Sequence, residues 1–253
     1  MVRGAGTLLN VVTVLVGSGA GLLLGHRLPT RTRDVVTDAL GLVTMLVAAL
    51  SAAAVLDRPL ADAVGAGAPV LIVLASLLVG GIIGSLLRIE DRLASVGGAL
   101  QSRLTRGRQV GEGDHQQRER FVQGFLTASL VFCVGPLAVL GPINDGLGRG
   151  IDQLALKSTL DGFASIAFAS SFGLGVAASA ITVAVVQGAF TVLGVLLGDV
   201  LPESHVSALT ATGGLLLVGI ALRLLRLRPV PVADLLPALL VAPLLTQLVV
   251  VLR

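Results

Sequence analysis

Residues 154–200 read LALKSTLDGFASIAFASSFGLGVAASAITVAVVQGAFTVLGVLLGDV, an apolar block interrupted by Lys157 and Asp161 near its start and by small residues throughout. A helix rising about 1.5 Å per residue needs about 20 residues to cross roughly 30 Å of hydrocarbon. A block of roughly 45 residues is too long for one crossing and long enough for two. The turn between them is expected at Phe172-Gly173-Leu174-Gly175.

The rest of the chain repeats this pattern. Its 253 residues are 54% hydrophobic and 13% charged, with a mean hydropathy of +0.94, so lipid is its expected solvent. The fold class follows: an all-α, polytopic transmembrane helix bundle. Eight spans are expected near residues 6–25, 35–56, 69–88, 120–141, 154–173, 176–199, 207–226 and 232–252. The run Thr7 to Leu24 behind Arg3 is long for the apolar part of a signal peptide and reads as the first span.

Basic residues set the orientation, because cytoplasmic loops near the membrane collect Arg and Lys. Residues 88–120 carry Arg88, Arg92, Arg103, Arg106, Arg108, Arg118 and Arg120, which places the end of the third helix inside the cell. Alternation then puts His26, Arg27, Arg31 and Arg33 inside and Asp57, Arg58 and Asp62 outside. Eight spans leave both termini outside, with Arg223, Arg226 and Arg228 inside; seven would reverse the last assignments. Within a single membrane domain, 1–253, residues 89–119 form a cytoplasmic Arg-rich loop. Leu93, Val96, Leu100 and Leu104 recur there at helical spacing and predict an amphipathic helix on the inner leaflet. Arg106 to Arg120 reads as a flexible linker.

The chain also resembles itself. Gly21, Gly25, Pro29, Thr37 and Gly41 recur as Gly194, Gly198, Pro202, Thr210 and Gly214, at an offset of 173. Gly80 and Gly84 repeat the first part of this motif. Residues 6–56 and 176–226 are thus expected as two repeat units, which the topology runs in opposite directions. Inverted repeats are a recurring plan of secondary transporters, with the substrate site near the midplane. Gly-x-x-x-Gly also serves plain helix packing, within one chain or between copies in a homo-oligomer.

Ionisable groups within spans are costly and are candidate functional groups for that reason. Lys157 and Asp161 lie four apart on one helix face, where they can pair. Lys157 is the only lysine; the other seventeen basic residues are arginine. A compact ammonium is thus kept at one place. The other reading is an interfacial lysine that snorkels to the headgroups and pairs with Asp161. Asn144 and Asp145, in Gly141-Pro142-Ile143-Asn144-Asp145-Gly146, resemble a turn signal in the connection that leads to Lys157. Asn10, Thr127, Ser129 and Ser165 add uncharged oxygens for an ion or polar solute, as do Gln187 and Thr191. Such groups also stitch helices together.

Other chemistries fit poorly. The single cysteine, Cys133, offers neither a disulfide nor a Cys-rich metal site, and His26, His115 and His205 lack metal-ligand spacing. Ser158 beside Lys157 points about 100° away from it on a helix, so a Ser/Lys dyad is not expected. The glycine-rich segments lack a Gly-Lys-Ser/Thr ending. No enzyme activity, metal, cofactor or nucleic-acid partner is expected, although the pI is near 10.3.

Several blocks resemble a family of bacterial inner-membrane proteins catalogued as domain of unknown function 554. They are Gly6-Thr7-Leu8-Leu9-Asn10, Leu24-Gly25 with Leu28-Pro29, and Gly124-Phe125-Leu126-Thr127-Ala128-Ser129-Leu130 with Phe132-Cys133-Val134-Gly135. The longest is Lys157-Ser158-Thr159-Leu160-Asp161-Gly162-Phe163, continuing to Phe168-Ala169-Ser170 and Gly173-Leu174-Gly175. The resemblance covers nearly the whole chain except the Arg-rich insert. It implies a multi-pass protein of the bacterial inner membrane and names no substrate. The leading expectation is a small secondary transporter or channel for an ion or small polar solute, with Lys157 and Asp161 gating or binding it. The alternative is a non-transporting scaffold whose Arg-rich loop recruits a partner or anionic lipid.

Overall fold

The computed structural model of the chain describes residues 3–25, 29–104, 114–133, 136–197 and 202–253. The described residues are mainly helical, with no strand among them. The helices are α1 (Ala5–Gly25), α2 (Thr30–Ala52), α3 (Arg58–Val64), α4 (Ala68–Leu87), α5 (Ile89–Leu104), α6 (Asp114–Cys133), α7 (Pro136–Leu147), α8 (Asp152–Phe172), α9 (Leu174–Leu197), α10 (Glu203–Leu224) and α11 (Ala238–Leu252). The middle of the Arg-rich loop, 105–113, lies outside the described residues, as do His26, Arg27, Gly198 and Asp199.

Among the described residues, six segments are long and apolar enough to cross a membrane, and seven if α6 and α7 count as one broken span. The expected fourth span, 120–141, is that pair: Gln117–Cys133 and Leu137–Leu147 meet at 91°. Pro136 opens α7, and proline has no N–H with which to continue a preceding helical ladder. The expected turn at 141–146 lies inside α7, which ends only at Gly148, φ +76°. Its glycines serve close approach instead: Gly141 sits on the Leu154 side chain and Gly146 on the Thr191 backbone. The expected fifth span, α8, has the length but not the apolarity, because Lys157, Asp161 and several hydroxyls lie along it.

The chain folds into two compact units. The first holds Met1–Leu40, Asp91–Cys133 and Leu137–Gly198. In it α1 and α8 run parallel along their whole lengths: Gly6 meets Leu154, Gly17 meets Gly162 and Ser165, and Gly25 meets Ser170. Bare glycine faces let these backbones touch. Arg120 Nε, early in α6, donates to the Ser171 carbonyl at 2.8 Å and Gly124 meets Phe172, both late in α8, so α6 is antiparallel to α8. α9 runs with α6, since Gly175 meets Phe121 and Ser129 meets Thr182. The polar side of α8 faces this interior, while Leu156, Leu160 and Phe163 are exposed on its other side.

α5 is helical, and part of its expected apolar stripe packs on protein. Leu93, Ala94 and Leu100 pack on Phe121 and Phe125 of α6, with Gly97 against the Phe125 ring. Val96, expected on the same stripe, is 55% exposed. The start of α6 is helical from Asp114, so the expected linker ends there.

The second unit holds Gly41–Glu90, Val134–Pro136 and Asp199–Arg253. α2 and α10 cross antiparallel, with Gly41 on Leu225 and Gly214 on Ala52. α4 and α11 are likewise antiparallel, with Gly80 on Ala238 and Ile72 in a cluster with Leu245 and Val249. A reciprocal clamp closes one end of this unit. Asp234 accepts the Glu90 N–H at the start of α5 at 2.8 Å, and Glu90 accepts the Ala233 N–H at 2.8 Å while pairing with Arg223. At its other end Ser207 donates to Asp57 at 2.9 Å. His205, read as a loop residue, sits in the first turn of α10 beside Ser204.

Candidate functional site

α8 turns Leu154, Lys157, Ser158, Asp161, Ser165 and Phe168 inward at helical spacing. Lys157 and Asp161 are 6% and 7% exposed, and Lys157 Nζ donates to Asp161 Oδ2 at 2.6 Å. Asn10 Nδ2, from α1, donates to the same oxygen at 3.0 Å. Both bonds end on Oδ2, and none of the described residues donates to Oδ1. The pairing with Asp161 belongs to both readings of Lys157, and it is the burial of the ammonium that speaks against snorkelling.

Further polar atoms surround the pair. Among the described residues, the buried side-chain nitrogens and oxygens without a partner are Asn10 Oδ1, Ser18 Oγ, Ser158 Oγ, Ser165 Oγ, and both amide atoms of Gln187. All six lie on α1, α8 and α9 of the first unit. Thr7 Oγ1 meets Thr191 Oγ1 at 3.0 Å. One turn inward from each, on antiparallel helices, Asn10 and Gln187 come to the same level. A buried polar atom left without a partner costs about 1–3 kcal/mol, and a helix in lipid has no water to relieve it. Six on three adjoining helices mark an interior that suits a polar occupant.

The other expected site residues divide. Asp145 holds the start of α1: Oδ1 accepts the Gly4 N–H at 3.1 Å, and Oδ2 accepts those of Gly6 and Thr7 at 3.0 and 3.4 Å. These are N–H groups that a helix start leaves unpaired, and the carboxylate also meets the positive end of the helix dipole. Asp145→Ala should lower stability by about 1–3 kcal/mol, whereas Asp145→Asn, which keeps an acceptor oxygen, should lower it by less than half as much. Thermal unfolding in detergent measures both, and equal losses would contradict the capping role. Asn144 Nδ2, on α7, donates to Gln153 Oε1, on α8, at 2.9 Å and spans the connection between the two helices. Ser129 Oγ donates to Thr182 Oγ1 at 3.0 Å and ties α6 to α9, and Thr127 is buried on α6. Cys133, ending α6, lies within electrostatic reach of Lys157 and Asp161.

Asn10, Lys157, Asp161 and Ser165 thus form the core that the sequence singles out. Ser18 was passed over, being an ordinary small residue within Gly17-Ser18-Gly19. Its burial comes only with the helices that pack on α1, α8 and α9, both more than a hundred residues away in sequence.

An all-helical membrane protein with a charged pair and unspent hydrogen-bonding groups in its interior is the class these features define. The chain belongs to the family described as "Protein of unknown function (DUF554)", whose model matches residues 5–247. It is 27% identical over 238 residues to "Uncharacterized membrane protein YdfK" of Bacillus subtilis (strain 168), covering 94% of this chain and 93% of that one. It is 29% identical over 237 residues to "Uncharacterized protein YqgA" of Escherichia coli (strain K12), covering 94% of each. No solved structure matches it.

Proposed function

We propose that this protein is a small secondary transporter or channel of the bacterial inner membrane, moving an ion or small polar solute through the interior of the first unit. The observation that carries this reading is the set of six partnerless polar atoms on the three helices that hold Lys157, Asp161 and Asn10. A scaffold has no use for such groups, and an apolar interior of the same volume would be more stable.

The crossing of α2 and α10 supports the inverted repeat that this mechanism favours. Gly41 meets Leu225 and Gly214 meets Ala52, and in each swap the residue numbers differ by 173, the offset of the sequence repeat. Contacts that exchange in this way belong to a two-fold relation. For antiparallel helices the axis is perpendicular to them, which in a bilayer means in the membrane plane.

The test is uptake of a panel of ions and small solutes by proteoliposomes holding the native chain or Asp161→Asn. Net uptake of at least one solute should fall to the protein-free background in the variant, with thermal unfolding showing it folded. Equal uptake by both proteins would remove Asp161 from the path.

A further inference from the structure

Resting on that reading, we propose that the interior site carries a small monovalent anion together with one proton, the anion held by Lys157 and the proton by Asp161.

Charge balance selects the combination. The pair is neutral as it stands, and an ion added alone would leave a net charge in hydrocarbon, a cost of several kcal/mol. A proton taken from water by Asp161 ends its carboxylate charge and frees the Lys157 ammonium. A monoanion then takes the carboxylate's place beside Lys157, and the site is neutral again. Both leave together on the far side: the O–H bond breaks, the proton returns to water, and the ion pair re-forms. A divalent anion would leave a net negative charge and is excluded.

The geometry suits each step. Asp161 Oδ1 receives no donor from the described residues, so a proton can add there without breaking a bond. Lys157 holds Asp161 by one N–H and has two more to offer. An arginine would grip the carboxylate with a two-pronged fork, whereas a lysine ammonium is a point charge that changes partner readily. This is the one lysine among eighteen basic residues. Ser158, next in sequence to Lys157, and Ser165, one turn beyond Asp161, bring hydroxyl donors, and Gln187 brings an unused amide. Few other titratable groups face the pair. α1 and α9 carry none, α6 offers Cys133 at its near end with its charged residues at its start, and α7 offers Asp145, engaged by α1.

The experiment uses proteoliposomes loaded with a pH-sensitive dye, at equal pH inside and out. Sodium chloride, sodium nitrate or sodium lactate is added outside, with sodium sulfate as the divalent control. At least one monoanion should acidify the interior, sulfate should not, and clamping the membrane potential with valinomycin and matched potassium should leave the rate unchanged. Asp161→Asn resembles the protonated carboxyl. It should lose net uptake and acidification yet still exchange radiolabelled anion inside for unlabelled anion outside, since Lys157 can then cross only when loaded.

Entry of an anion without acidification, or at a rate that follows membrane potential, would overturn the coupling. Loss of anion exchange in a folded Asp161→Asn would remove Asp161 as the proton carrier. Asp161-dependent uptake of a neutral or cationic solute, with no anion-linked acidification, would sink this inference and leave the transport reading standing. Absence of any flux would sink both.

Discussion

Lys157→Met will be among the most damaging single substitutions in this chain, lowering stability by about 3–5 kcal/mol, because it leaves Asp161 buried without its counter-charge. Asp161 keeps one Asn10 N–H and loses the ammonium at 2.6 Å. A buried carboxylate without its counter-charge is costly, and that cost appears as lost stability. For a chain of this size the unfolding midpoint should fall by roughly 6–20 °C. The double variant Lys157→Met/Asp161→Asn contains neither charge and should regain most of that loss while transporting nothing. A double variant as unstable as the single would mean that Lys157 acts through packing and not through its charge. A single variant within about 1 kcal/mol of the native protein would mean that the pair is solvated like a surface ion pair.

The second large effect comes from a methyl group. Gly21→Ala puts a Cβ into the Ile166 carbonyl and against the Ala169 methyl at 2.9 Å, both on α8. Neither is the end of a flexible side chain, so α1 and α8 must separate, at a cost of about 1–3 kcal/mol or more. Separation also draws Asn10 from Asp161, and uptake should fall with stability. Gly19→Ala, two residues away on the same helix, meets nothing within 4 Å and should be neutral or stabilising by up to about 1 kcal/mol. Thermal unfolding of the pair decides the matter: similar midpoints would show that α1 does not pack on α8 through its glycine face.

The helices were legible because an uninterrupted apolar run of membrane length has few other uses. Among the described residues, each expected segment is helical over most of its length, with ends shifted by a few residues. The break between α6 and α7 was not legible, since hydropathy measures apolarity and carries no direction. That part of the α5 stripe lies on protein was not legible either: Leu93, Val96 and Leu100 all fit one wide stripe, and only Phe121 and Phe125 decide which part of it α6 covers. At the site, the spacing of Lys157 and Asp161 gave their pairing, because helical geometry alone brings them together. Asn10 could be suspected as a polar residue in an apolar run, but its partner is 151 residues away. Asp145 looked like part of a turn because its ligands are backbone N–H groups, which no side-chain pattern announces.

That separation between Asn10 and Asp161 sets an order of events during synthesis. α1 is made before α8, and the helix that satisfies it lies parallel to it, so no short hairpin can bring the two together. At about 5–20 residues per second, α8 follows roughly 8–30 s later. Throughout that interval Asn10 and Ser18 face lipid or the insertion machinery without the neighbour that later buries them. The interior of the first unit is thus completed only once α8 and α9 have been made, and not as each of its helices enters the bilayer.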